Sequence, residues 1–584
     1  MKNYQSINPK KPENIALSFS GGGFRAASFS LGCLSYLEQL EFEDRPFVDM
    51  VKFASSASGG TITLLSYSVA KRKNVLFKDY FRWMISDVLY GENLVNQVFE
   101  IMRSATEWSL RPDKSRNLIN AFSIVYDIKI FKGEKFGILW EDGGIPGICA
   151  NSTEFQNGMS FRFQNTGDIG NAFIHVVSDD DFKKIKLGDI LACSSCFPVG
   201  FEPFVYPKDF SYEGLDKEVL KDAVFMDNRY VNNEKKSSDL FPLMDGGIDD
   251  NQGIDSFMNA ETRLERKNSF GYDLYMTCDV SSNYTNGYRY PSQGKPGWFG
   301  KRSLFFYVML NFLFLASGIL GAVFGFCKGL SYAVIGITGA LSTILAIILA
   351  KLMVLKNRAT VEHSTATLLI LKHMWFFMHI DVSILAQEIY ARLTSTGEMA
   401  AVIFLKKIRR SSYAGLFRRV TPVGDTKGAA SPDGPAAKNL KFWGQFSVMN
   451  AVYLLSSKNK KQRDIDLHKE VWTKNGLKIK VDDTMVDPMS FMEPSEAMIK
   501  IADLATKMET TLWYDANHRA QHQPEAIVAA GQFTTCYNLL RWSLRFSDEP
   551  YQTVWNDFQQ KLIAQYAKFK DDPYWLLNDY QINQ

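Results

Sequence analysis

Ile15-Ala-Leu-Ser-Phe19, followed by Ser20-Gly21-Gly22-Gly23-Phe24-Arg25, is the stretch whose reading decides the fold. The first five residues are an apolar run of strand length. Across residues 24–40 apolar side chains recur at helical spacing, with Leu31, Leu34, Leu37 and Leu40 on one face. Strand, glycine turn and helix in direct succession are the unit of an α/β sheet, and the turn aims backbone N–H groups and a helix N-terminus at one point. Such a point suits an anion. The Gly21-x-Gly23-x-x-Ala26 spacing fits a dinucleotide phosphate, and the same turn fits the oxyanion of acyl transfer. A dinucleotide site also needs an acidic residue closing the next strand. That strand, expected over residues 50–54, runs instead into Ser55-Ser56-Ala57-Ser58-Gly59-Gly60, and Asp49 lies at its wrong end.

The second unit repeats the pattern, with a helix expected over residues 61–70. Strand, sharp small-residue turn and helix make the geometry of a nucleophile elbow, which lifts a serine hydroxyl clear of the sheet. Read as small-x-Ser-x-Gly, the turn puts Ser58 at the nucleophile, with Ser56 where the usual pattern has glycine. None of the seven histidines sits in an evident strand-end turn beside a carboxylate, so a Ser-His-Asp triad has no support. Leu243-Met244-Asp245-Gly246-Gly247 offers something else: an apolar run that ends in Asp245 and a glycine turn.

Three glycines after one strand, a serine elbow after the next and Asp-Gly-Gly at a strand end together resemble the patatin-like phospholipase family over about residues 12–280. Gly21-Gly22-Gly23-Phe24-Arg25 is similar to its oxyanion-hole motif, Ser56-Ala57-Ser58-Gly59-Gly60 to its elbow, and Asp245-Gly246 to the aspartate motif of its Ser-Asp dyad. Ala192-Cys193-Ser194-Ser195-Cys196-Phe197-Pro198 resembles a small-residue segment of the family, which accounts for the close cysteine pair without zinc or redox chemistry. The resemblance implies a three-layer α/β/α domain in which Ser58 attacks an ester carbonyl and Asp245 takes its proton. Gly21, Gly22 and Gly23 would meet the oxyanion, and Arg25 would fix the glycine loop or contact a lipid phosphate. Phe197 and Pro198 are candidates for an acyl-chain wall. It implies no cofactor and no metal; Asp245, Asp249 and Asp250 also lack the spacing of a calcium loop.

Composition bounds the rest. With 584 residues, 46% hydrophobic and 22% charged, the chain can bury a large core and is not a disordered protein. A net charge of +3 gives no field that points to nucleic acid. Seven scattered cysteines make no disulfide framework, and the first residues lack the apolar segment of a signal peptide. Residues 304–326 and 330–350 carry no charge, and at about 1.5 Å per residue each can cross a hydrocarbon core of about 30 Å. Cys327-Lys328-Gly329 would be the turn. Lys301 and Arg302 before, with Lys351, Lys356 and Arg358 after, place both flanks in the cytoplasm. The expected architecture is thus a catalytic domain over 12–300, a transmembrane helical hairpin over 303–355 and a mainly helical region over 356–584. Part of that last region could complete the catalytic domain. In it, helices are expected over 495–513 and 527–544, with Trp513, Phe533 and Trp542 available to pack on the catalytic domain. Lys406-Lys407-Ile408-Arg409-Arg410 reads as a solvated face or a contact for anionic head groups.

The leading function is a membrane-anchored phospholipase A or lysophospholipase whose partner is the membrane phospholipid. Acyl transfer to another alcohol uses the same dyad. A non-catalytic membrane scaffold or sensor on the same fold, and more distantly a nicotinamide-dependent oxidoreductase, are the readings from other classes. Neither an activator nor a homo-oligomer is marked by a motif, and both stay open.

Overall fold

A computed structural model of the protein describes residues 12–91, 94–198, 200–227, 240–266, 271–280, 297–324, 339, 341, 378–418, 420–421, 441–442, 447–472, 478–508, 511, 513–544 and 552–581. The chain falls into two compact units, Met1–Thr285 with Ala401–Gln584, and Asn286–Ala400.

The first unit is built on an eight-stranded sheet. Its strands are β1 (Ile15–Phe19), β2 (Val51–Ala57), β3 (Gly147–Glu154), β4 (Met159–Gln164), β5 (Phe204–Tyr206), β6 (Phe241–Asp245), β7 (Leu274–Asp279) and β8 (Ser447–Ala451). They lie in the order β8-β7-β1-β2-β3-β6-β5, with β4 on the other edge of β3. From β8 to β3 all pairings are parallel, and those of β3 with β4 and of β6 with β3 and β5 are antiparallel. The labelled helices are α1 (Gly23–Gln39), α2 (Gly59–Arg72), α3 (Leu118–Tyr126), α4 (Leu187–Ser195), α5 (Ile254–Arg266), α6 (Leu304–Phe324), α7 (Val382–Glu398), α8 (Leu405–Arg418) and α9 (Gln523–Ser543).

Side chains that alternate along each strand build the layers. Ile15, Leu17 and Phe19 enter the large core shared with α1, α2 and α9, whereas Ala16 enters a second core with α5 and Leu416 of α8. Leu274, Met276 and Cys278 of β7 divide from Tyr275 in the same way. The central parallel strands are buried on both faces, which is why they read as near-continuous apolar runs. The C-terminal region enters the sheet itself through β8, and α9 lies against α1. At that crossing a Cβ on Gly32 would stand 2.1 Å from the Val528 carbonyl oxygen, and one on Gly531 2.5 Å from that of Phe29. Only glycine permits so close an approach.

Several expectations are corrected here. β2 continues through Ala57 instead of stopping at residue 54, so Ser55 and Ser56 are strand residues. The helix expected to reach residue 513 ends at Lys507, where the next residue turns extended, and Trp513 is exposed while Phe533 and Trp542 are buried. Arg409 is not on a solvated face: its Nε donates to the buried Asp279 Oδ2 at 2.7 Å, and Tyr413 donates to the same oxygen.

In the second unit α6 and α7 are joined near their starts, where the Val382 N–H donates to the Arg302 carbonyl and the Phe305 ring stacks on His379. The first uncharged run of the sequence forms α6, whose side chains are described mainly to Phe314. The second run lies outside the described residues except for Gly339 and Leu341. The turn at Lys328 and the cations Lys351, Lys356 and Arg358 also lie outside them. Among the described residues no helix is long and apolar enough to cross a membrane, so the expected two-span hairpin is not found there.

Candidate active site

β3 brings the candidate residues together. Ala57 at the end of β2 pairs with Asn151, and Asp245 at the end of β6 pairs with Ser152, the next residue of β3. β2 runs parallel to β3 and β6 antiparallel to it, so their last residues meet head to head along one edge. Ser58 and Asp245 stand at that meeting point.

Ser58 itself has φ 48° and ψ −121°, a left-handed conformation that a residue with a Cβ adopts at a cost of about 1–3 kcal/mol. What holds it there is α4: the Ser58 N–H donates to both the carbonyl and the hydroxyl oxygen of Ser194 at 3.0 Å. Ser194 in turn exchanges a hydrogen bond with Thr61, and Thr61 with Ser56, so the turn is braced from inside by hydroxyls. Gly59 follows because a Cβ there would stand 1.9 Å from the Gly23 carbonyl oxygen. The serine turn and the glycine turn therefore touch.

Asp245 is 3% exposed. Burial pushes its carboxyl up to about 7, although the Gly247 N–H and the Ser58 side chain both hold it down. Gly247 donates to Oδ1 at 2.6 Å, and the Asp245 and Gly246 amides donate to the Cys196 and Ser194 carbonyls. An ionisable group poised near neutrality beside a hydroxyl is the chemistry of a general base. Asp249 and Asp250, its neighbours in sequence, are taken up elsewhere: Asp249 by the Ser160 hydroxyl, Asp250 by the amide and hydroxyl of Ser256.

The three glycines do not share one role. The Gly21 N–H donates to the Asn251 carbonyl at 2.9 Å, so it is spent and cannot serve an oxyanion, which corrects the expectation for that residue. Gly22 (φ 140°) and Gly23 (φ 62°) adopt backbone angles that favour glycine, and their amides make no hydrogen bond among the described residues. Arg25 makes no hydrogen bond among the described residues. It points from α1 into the interior, its Nε and Nη2 are without partners among the described residues, and burial lowers its pKa to about 10. A loop-fixing hydrogen bond from Arg25 is not found among the described residues.

Phe197 and Pro198 follow α4 and are half-buried. The Phe201 N–H donates to the Phe197 carbonyl, and the Phe201 ring meets Phe122 of α3 edge-on at 5.3 Å. One helical turn on from Phe122 comes Tyr126, whose hydroxyl is influenced by Ser195 and Asp245. Sequence reading missed Phe122, Tyr126 and Asn251. Asn251 lies four residues beyond the quoted Asp-Gly-Gly segment, and α3 carries no signal beyond its apolar spacing. Cys193 and Cys196 are buried free thiols pushed up by burial.

A comparison with curated proteins finds none that matches. Residues 17–258 match the Patatin family, patatin-like phospholipase. That interval contains the glycine turn, Ser58 and Asp245. Residues 17–258 therefore form a patatin-like phospholipase domain, which supports lipid ester hydrolase activity in general.

Proposed function

We propose that the protein hydrolyses carboxylic ester bonds of glycerophospholipids or lysophospholipids with a Ser58–Asp245 dyad. The observation that carries the reading is the head-to-head register on β3, which sets a strained serine beside a buried carboxyl of pKa about 7. Ser58 Oγ attacks the ester carbonyl as Asp245 accepts its proton. The carbonyl oxygen, now negative, takes hydrogen bonds from the unengaged Gly22 and Gly23 amides; a lost donor of this kind typically raises the barrier by about 3–4 kcal/mol. Collapse expels the lipid alkoxide, which leaves with the proton from Asp245. Water then attacks the acyl-serine by the same route, releasing fatty acid and restoring Ser58. The half-buried Phe197 and Pro198 line the path for the acyl chain.

Action at a lipid surface is the finer part of the proposal. Trp298, Phe299, Phe306, Met309, Phe312 and Leu313 are exposed large apolar side chains close in sequence to Lys301 and Arg302. Such a set favours the boundary between acyl chains and head groups. The two-span hairpin with cytoplasmic flanks rests on the uncharged runs and their flanking cations alone.

Trapping tests the chemistry. A fluorophosphonate should modify Ser58, read by mass spectrometry of the peptide that contains it, and the Ser58→Ala protein should stay unlabelled. Labelling elsewhere in a folded Ser58→Ala protein at the original rate would contradict the assignment.

A further inference from the structure

The glycine turn is gripped on both sides by segments remote in sequence. Before Gly22, the Gly21 amide is held by the Asn251 carbonyl, from the turn that follows Asp245. After Gly23, the Phe24 amide donates to the Thr511 carbonyl at 2.7 Å, and Gly23 and Thr511 form a parallel bridge. Nearby, the buried Tyr514 hydroxyl donates to the Phe24 carbonyl at 3.2 Å and exchanges a hydrogen bond with Ser28 Oγ at 2.9 Å. Ser28 Oγ also lies 2.9 Å from the Phe24 carbonyl oxygen, so the two hydroxyl protons are shared over three contacts, and the Tyr514 ring meets that of Phe24 edge-on at 6.0 Å. Phe24 thus has both its backbone groups tied to Thr511 and Tyr514, which lie beyond the matched domain.

The two amides left between the grips, those of Gly22 and Gly23, are the ones an oxyanion requires. A pair of flexible glycines gains catalytic value only if its donors are preorganised, since reorientation during the reaction is a cost the transition state must carry. We infer that Thr511 and Tyr514 are positioning residues of the C-terminal region that fix the Gly22–Gly23 oxyanion donors. This inference rests on the Ser58–Asp245 reading. It gives the C-terminal region a share in the reaction of a site whose other residues all lie within residues 17–258.

Two substitutions in the full chain test it. Tyr514→Phe keeps the ring and removes the hydroxyl; Ser28→Ala removes the partner that orients it. Steady-state hydrolysis of a soluble p-nitrophenyl ester, the rate of fluorophosphonate labelling and the melting midpoint are read for both. Expected is a fall of about ten-fold in kcat and in labelling rate for Tyr514→Phe, with a smaller fall for Ser28→Ala. KM should change by less than about two-fold in both, and Ser28→Ala should keep its melting midpoint. Unchanged kcat in folded Tyr514→Phe overturns the inference, and so does a loss that tracks the melting midpoint across the two variants. Failure of the dyad reading looks different: Ser58→Ala would then hydrolyse the ester at the unaltered rate, whatever Tyr514→Phe does.

Discussion

At Ser58 and Asp245 the fold works against local comfort. The serine holds a left-handed backbone, and the carboxyl is buried where its charge is poorly solvated. The sign of the pH effect follows. Asp245 has an ordinary pKa of 3.8 and a folded value of about 7, so the folded state binds its proton more tightly than the unfolded one. Its contribution favours folding at low pH and is lost as pH rises from about 4 to about 7. In the proposed dyad activity runs the other way, because only the ionised carboxylate can accept the serine proton. We expect kcat/KM to rise about ten-fold per pH unit below 7 and to level off above it. Asp245→Asn should lose activity yet melt higher than the unaltered protein at pH 8; a flat pH–rate profile between 5 and 8 would contradict this. The other groups near Asp245 are the Ser58 hydroxyl, the Cys196 thiol and the Tyr126 phenol, and the last two ionise well above this range. Ser58 and Asp245 could be singled out in the sequence because each sits in a short small-residue turn with its own chemistry. Asn251 and Thr511 could not, since each acts through a backbone carbonyl brought in by tertiary folding, and Ser194 stood out only as part of a small-residue segment.

The elements that matter most are α1 and the helix laid across it. α9 was legible as a helix, since its apolar residues recur at helical spacing, but its place against α1 was not: that contact needs Gly32 and Gly531 face to face, and nothing local announces it. Gly32→Ala is the sharp test of the crossing. Its Cβ would meet the Val528 carbonyl oxygen at 2.1 Å, and backbone cannot rotate aside as a side chain can. Overpacking of this kind costs about 1–3 kcal/mol. The melting midpoint should fall by several degrees, and an unchanged midpoint would mean that α1 and α9 do not cross so closely. The same limit on local signals explains the strand ends. β2 reads as stopping at residue 54 because Ser55 and Ser56 are turn formers, yet pairing with β1 and β3 on both sides keeps the chain extended through Ala57.

Across the whole molecule, the catalytic sheet takes strands from both sides of residues 286–400, with β8 pairing in register with β7. The α/β class was readable from two consecutive strand–turn–helix units. The contribution of β8 was not, because the five residues Ser447–Ala451 are too short a run to carry a pattern that names their partner. Attachment to a lipid surface is a prediction at this scale. The full chain should stay in the membrane pellet under alkaline carbonate, and a form lacking residues 303–355 should be released from it; release of the full chain would contradict anchoring by that segment. The central claim, a Ser58–Asp245 lipid hydrolase, meets its most direct test in fatty-acid release from mixed phospholipid vesicles by the purified protein and its Ser58→Ala and Asp245→Asn variants. The account predicts release by the unaltered protein and a loss of at least about 1,000-fold in each folded variant. Release that persists in Ser58→Ala at the original rate would contradict it.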